Sequence, residues 1–146
     1  MKKLAFLFVS LLMVNLSVWA GNDKPIKVSE MPKAAQRFIQ NHFAGQSIAV
    51  AKVETDFMNK SYDVIFTNGD KVEFDKRGKW TNVDCEYSQV PQAVIPVVIQ
   101  QYLAKEYPTA KVLKIELTDR RGYEVELNNG FEVKFDKKMR VIDVDR

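Results

Sequence analysis

The chain has 146 residues, with 22 Lys and Arg against 19 Asp and Glu and a formal charge of +3. Two of the cations, Lys2 and Lys3, belong to an N-terminal leader; without them 20 basic and 19 acidic residues remain, and a charge of +1 argues against a basic nucleic-acid binder. Cys85 is the only cysteine, which excludes a disulfide-stapled scaffold.

Met1-Lys2-Lys3 is a short positive segment, Leu4 to Val18 is apolar and uncharged, and Val18-Trp19-Ala20 supplies the residues before a cut. This order predicts a secretory signal peptide over residues 1–20, cleaved after Ala20. The apolar run is short for a membrane span of about 20 residues, and no second one follows. The expectation is an exported protein with no membrane span after cleavage.

Met31, Ala34, Ala35, Phe38, Ile39 and Phe43 recur at helical spacing. Ser29 is the expected N-cap, Pro32 fits the first turn and Gly45 is a stop. Four strand-like runs follow, roughly Ile48 to Thr55, Tyr62 to Thr67, Asp70 to Asp75 and Lys79 to Tyr87. Val90, Ala93, Val94, Val97, Val98 and Tyr102 then mark a second helix, in which Pro96 requires either a kink or a late start. Four more strands are expected near Lys111 to Thr118, Tyr123 to Asn128, Phe131 to Asp136 and Arg140 to Asp145. Alternation such as Tyr123, Val125, Leu127 against Glu124, Glu126 gives each strand one dry and one wet face.

An internal repeat organises these elements. Tyr62 to Asp84 matches Tyr123 to Asp145 at an offset of 61, with identities including Tyr62/Tyr123, Val64/Val125, Gly69/Gly130, Phe74/Phe135 and Asp84/Asp145. Ser29-x-x-Pro32 and Ser88-x-x-Pro91 match at an offset of 59. The reading is α+β: two tandem α-β-β-β-β repeats, residues 21–87 and 88–146, sharing a curved antiparallel sheet with helices on one face. A unit of about 58 residues is marginal alone, which pairing two units solves.

Parity fixes the Asn-Gly hairpins. A two-residue turn would set Val64 against Glu73; a three-residue loop with left-handed Gly69 pairs Val64 with Val72 and Tyr62 with Phe74, and its counterpart pairs Val125 with Val133. The open face should then carry Asp63, Lys71, Glu73, Glu124, Glu126, Glu132 and Lys134.

No catalytic, cofactor-binding or metal-ligating set is expected. His42 is alone near a helix stripe, Cys85 reads as a packed thiol, and the acidic turns lack a calcium-loop spacing. The Glu124/Glu126/Glu132 group reads as ordinary solvation of an exposed strand. Candidate partner-binding residues are Asp56, Phe57 and Met58 in the first hairpin loop, where the apolar pair either folds back or meets a partner, and Arg120 and Arg121 in the corresponding later loop.

A leader, a Ser-x-x-Pro helix and Tyr-x-Val-x-[Phe/Leu]-x-Asn-Gly-x-x-Val-x-Phe-Asp, all but the leader twice, resemble the PepSY-like, β-lactamase-inhibitor-like family of exported bacterial proteins. The resemblance implies a periplasmic, non-enzymatic binding module for a protein partner; a small-ligand or envelope-stress sensor, which needs a concave pocket, is the alternative. Secreted β-lactamase inhibitors plug an enzyme with a projecting hairpin, and Asp56, Phe57 and Met58 are the nearest positions for such a plug. Those inhibitors are braced by disulfides, which a chain with one cysteine lacks.

Overall fold

A computed structural model of the protein describes residues 22–146; the expected signal peptide and its cut lie outside the described residues. The chain runs β1 (Asp23–Ile26), a 3-10 turn (Val28–Glu30), α1 (Lys33–His42), β2 (Ile48–Asp56), β3 (Asn59–Phe66), β4 (Lys71–Phe74) and β5 (Trp80–Asp84). It continues with a second 3-10 turn (Gln92–Val94), α2 (Val97–Glu106), β6 (Val112–Leu117), β7 (Tyr123–Leu127), β8 (Glu132–Phe135) and β9 (Val141–Asp145). Among the described residues all nine strands form one antiparallel sheet in sequence order, so the fold there is α+β with an open nine-stranded sheet and two helices. Nine strands replace the expected eight. The unforeseen β1 is four residues long and contains Pro25, a residue that cannot donate to a ladder and is tolerated on an edge.

Register builds the core. Ile26, Ala51, Val64, Val72, Val83, Ile115, Val125, Val133 and Val144 stand opposite one another in turn, an apolar row crossing the whole sheet. Val64, Val72, Val83, Ile115, Val125 and Val133 are fully buried in that row. Each such side chain stabilises the fold by roughly 1.5–3 kcal/mol through lost water contact. Both helices cover this face, with Phe38 of α1 edge-on to Phe74 at 5.6 Å and Tyr102 of α2 edge-on to Phe135 at 5.6 Å. The bulged hairpins form as expected: Val64 pairs with Val72, Val125 with Val133, and Gly69 and Gly130 adopt φ of +96° and +87°.

The start of α1 differs from expectation, while α2 takes the late start that Pro96 allowed. Ser29 lies in the first 3-10 turn and is not an N-cap; Pro32 and Pro96 occupy the N-cap positions of two ten-residue helices. A residue preceding proline is pushed out of the helical region. Met31 and Ile95 are accordingly extended, so each helix begins only after its proline, and Pro96 gives a late start without a kink. Gln36 and Gln100 then fold back one turn, donating to the carbonyls of Met31 and Ile95 at 2.7 Å each. Pro32 therefore corresponds to Pro96, an offset of 64, and the Ser-x-x-Pro match at 59 is not the structural one. Val90, Ala93 and Val94 precede the helix instead of lying on it.

Candidate functional site

Antiparallel order sends the β2–β3, β4–β5, β6–β7 and β8–β9 connections to one end of the sheet. There the offset between corresponding positions falls from 64 to 61, because eight residues separate Val53 from its partner Tyr62 but only five separate Leu117 from Tyr123. The extra residues prolong the first hairpin through Glu54–Ser61, Thr55–Lys60 and Asp56–Asn59. β4 ends opposite Tyr62, so these three pairs project about 10 Å beyond it. At the tip, Phe57 is 99% and Met58 82% exposed, while the Asp56 carboxylate accepts the Phe57 N–H at 2.7 Å. The pair does not fold back onto the sheet in this structure.

The other predicted residues share this end without converging on the tip. Two strands, β4 and β5, separate the β2–β3 hairpin from β6 and β7, which places the loops about 19 Å apart. Thr118 accepts the Arg121 N–H at 2.9 Å through its carbonyl and the Gly122 N–H at 3.0 Å through its hydroxyl. That tight loop holds Arg121 at φ +61° and divides the arginines, Arg120 lining a cleft towards β8–β9 and Arg121 one towards β4–β5.

This end is strongly basic. Three of its connections carry Lys76, Arg77 and Lys79; Arg120 and Arg121; Lys137, Lys138 and Arg140, against Asp75, Asp119 and Asp136, while the projecting β2–β3 hairpin carries Lys60 against Glu54 and Asp56. Asp75 accepts the N–H groups of Arg77 and Lys79, and Asp136 those of Lys138 and Arg140, so both acids serve their own turns. These bonds, that from Arg140 first, hold the Asp136 carboxyl below the usual carboxylate range, and the Arg140 guanidinium adds a 2.7 Å ion pair.

The open face has the opposite sign. One row reads Lys52, Asp63, Glu73, Asn82, Glu116, Glu124, Lys134 and Asp143; the next reads Lys71, Asp84, Lys114, Glu126, Glu132 and Asp145. The four lysines are each held by carboxylates, for example Lys71 by Asp63 at 3.2 Å and Lys114 by Glu126 at 3.0 Å. Burial would lower the Lys71 and Lys114 ammonium groups, but bonding to Glu73 and Glu126 raises them overall. Carboxylates remain in excess. Glu116 faces Glu124 and Glu126 faces Glu132, and like charges directly opposite oppose pairing. Ligand oxygens of Glu124, Glu126 and Glu132 lie within 4.8 Å of one another, and Glu124 is raised above its ordinary value by burial and then by Glu132, with Lys134 opposing. The alternation that revealed an exposed strand also contained this group; only the cross-strand register shows that its charges coincide.

Two further side chains bear on chemistry. Burial, followed by Asp70, pushes the Cys85 thiol up to about 12, so this packed cysteine is no nucleophile at neutral pH. His42 is half-buried beside Phe38, ring centroids 4.7 Å apart. Among the described residues no helix is long and apolar enough to cross a membrane.

Residues 60–143 match the family described as "Putative beta-lactamase-inhibitor-like, PepSY-like". A DUF2874-family protein from Bacteroides vulgatus, described as a "putative periplasmic protein", is similar at 57% identity and a TM-score of 0.84, covering 87% of this chain and 99% of its own. A Bacteroides thetaiotaomicron protein described as a "putative calcium-regulated periplasmic protein" is 56% identical with a TM-score of 0.82, covering 85% and 97%. A second B. vulgatus protein, described as periplasmic and of unknown function, is 36% identical with a TM-score of 0.78, covering 85% and 99%. No curated protein matches the chain. None of these descriptions is enzymatic. The chain belongs to the PepSY-like, β-lactamase-inhibitor-like family.

Proposed function

We propose that the protein is a non-enzymatic periplasmic binding module that docks on a protein partner through the β2–β3 tip, with the basic loop end and the open sheet face beside it. The observation that carries this reading is the near-complete exposure of Phe57 and Met58 on the hairpin that three extra residues lengthen. An apolar pair held in water at the end of a rigid ladder is costly unless a partner covers it. The family description and the likeness to periplasmic relatives support both the compartment and the absence of catalysis. Blocking a hydrolase is the sharper form of the same reading. The corresponding hairpin registers and proline-led helices support a tandem duplication as the origin of the fold.

The test is affinity capture from periplasmic extract with the wild type and with Phe57→Ser/Met58→Ser. Because both side chains are solvent-exposed, the variant should melt within about 1 °C of wild type. It should lose a protein that the wild type retains; identical recoveries would refute the tip as the docking element.

A second reading is favoured by the acidic centre of the open face: calcium binding at Glu124, Glu126 and Glu132. Calcium takes hard oxygen ligands, three carboxylates already converge there, and a similar protein is described as calcium-regulated. Asn82, opposite Glu116 in the same row, also keeps a buried Oδ1 with no hydrogen-bond partner among the described residues. Millimolar calcium should then raise the melting temperature of the wild type but not of Glu124→Gln/Glu132→Gln. Equal shifts, or none, would remove this reading.

A further inference from the structure

A cleft of about 600 Å³ lies between the Thr118–Gly122 loop and the Asp136–Arg140 turn, within the size range of small-ligand sites. Its wall is built by close approach: a Cβ on Gly122 would meet the Phe135 carbonyl oxygen at 2.1 Å, so only glycine lets the loop lie on β8. Ile142, 66% exposed on β9, gives it apolar lining, beside the backbone of Phe135. The rim is cationic. Arg120, Lys137 and Lys138 have no ion pair among the described residues and outnumber the one unpaired carboxylate of the lining, Asp119, while the Asp136 carboxylate is already satisfied by Arg140 and its own turn. At the corresponding place between β2–β3 and β4–β5 the cleft is smaller, about 380 Å³, and the sheet continues past it.

Uncompensated cations around an exposed apolar floor complement one kind of ligand. We propose that this cleft binds a small amphipathic anion, an organic carboxylate or phosphate ester whose hydrocarbon body covers Ile142 and whose head group meets Arg120 and Lys138. The site stands apart from the Phe57–Met58 tip and does not depend on its docking role. The same head-and-tail chemistry is offered by a free amphiphile and by a lipid in a bilayer. The proposal commits to the free molecule, since the site is a cleft beside a strand edge.

Calorimetric titration with sodium decanoate below its micellar concentration tests this, with decyltrimethylammonium as the cation of similar chain and phosphatidylglycerol vesicles as the bilayer arm. Expected are one saturable site for decanoate and none for the cation. Arg120→Glu/Lys138→Glu, and separately Ile142→Asn, should each weaken binding about tenfold while melting like the wild type, since all three positions are exposed. Phe57→Ser/Met58→Ser should bind decanoate normally, which separates this site from the docking tip. Equal binding of both amphiphiles, undiminished binding by the charge-reversed variant, or association with vesicles alone would overturn the proposal.

Discussion

Asp70 shows how much of this fold hangs on single polar side chains. It is fully buried, yet its carboxylate accepts hydrogen bonds from Asn68 Nδ2 at 2.9 Å, Gln46 Nε2 at 3.4 Å, the Tyr87 N–H at 3.3 Å and the Ser88 hydroxyl. It thereby ties the β3–β4 loop to the connection that leaves β5. Asp70→Ala would remove four hydrogen bonds to a charged acceptor and should cost about 2–3 kcal/mol, read as a lower denaturant midpoint with an unchanged slope. A loss under about 0.5 kcal/mol would contradict this role. Glu124 makes the opposite case. Its raised carboxyl means that the folded chain holds the proton more tightly than the unfolded chain. The group therefore supports the fold at acid pH, and that support is lost as pH rises from the ordinary carboxylate range through the folded value. Glu124→Gln should raise the melting temperature at pH 7 by about 2 °C, with the gain shrinking towards pH 4. A lower melting temperature at pH 7 would contradict the like-charge account. The sequence marks Asp70 as the start of a strand after the Asn68-Gly69 loop, and Glu124 as exposed alternation. Asp70 takes Gln46, Tyr87 and Ser88 from segments that local patterning does not bring together, whereas the partners of Glu124 follow from the hairpin register once that is set.

At the scale of elements, the hairpins were readable because parity leaves one register that keeps Tyr62, Val64, Phe74 and Val72 on the same side. Apolar spacing alone runs each helical stripe through a proline, whereas the steric restriction on Met31 and Ile95 decides the boundary. β1 carries no strand signal in the sequence, because its four residues include Pro25 and it forms only by pairing with β2. The turn glycines separate backbone strain from crowding. Gly130, at φ +87°, has nothing within 4 Å of an added Cβ, so Gly130→Ala should cost about 1 kcal/mol from conformation alone. Gly78, at φ +82°, would drive that Cβ to 2.8 Å from the Ala35 backbone nitrogen at the start of α1. Gly78→Ala should therefore cost about 2–3 kcal/mol, since the helix itself must shift. Equal losses in chemical denaturation would show that α1 does not rest on this turn.

For the whole molecule, the net charge proves to be the sum of two opposed surfaces. A chain of nearly balanced charge folds into an acidic sheet face, whose four lysines are all engaged by carboxylates, and a basic loop end whose acids are mostly spent on their own turns. Composition could not show this, because antiparallel topology alone decides that residues 60, 77, 120 and 138 reach the same end. Sequence also located the candidate tip, Asp56 to Met58, but not its projection, which follows from the three additional ladder pairs. That lengthened, apolar-tipped hairpin is the feature the fold does not need and a partner would. The most direct measurement places a photo-reactive phenylalanine analogue at position 57 in producing cells, with a second at the exposed position 86 on the other side of β5 as control. The expected result is one discrete crosslinked protein from position 57 and none from position 86; no adduct at 57, or the same adducts from both positions, would contradict the docking account.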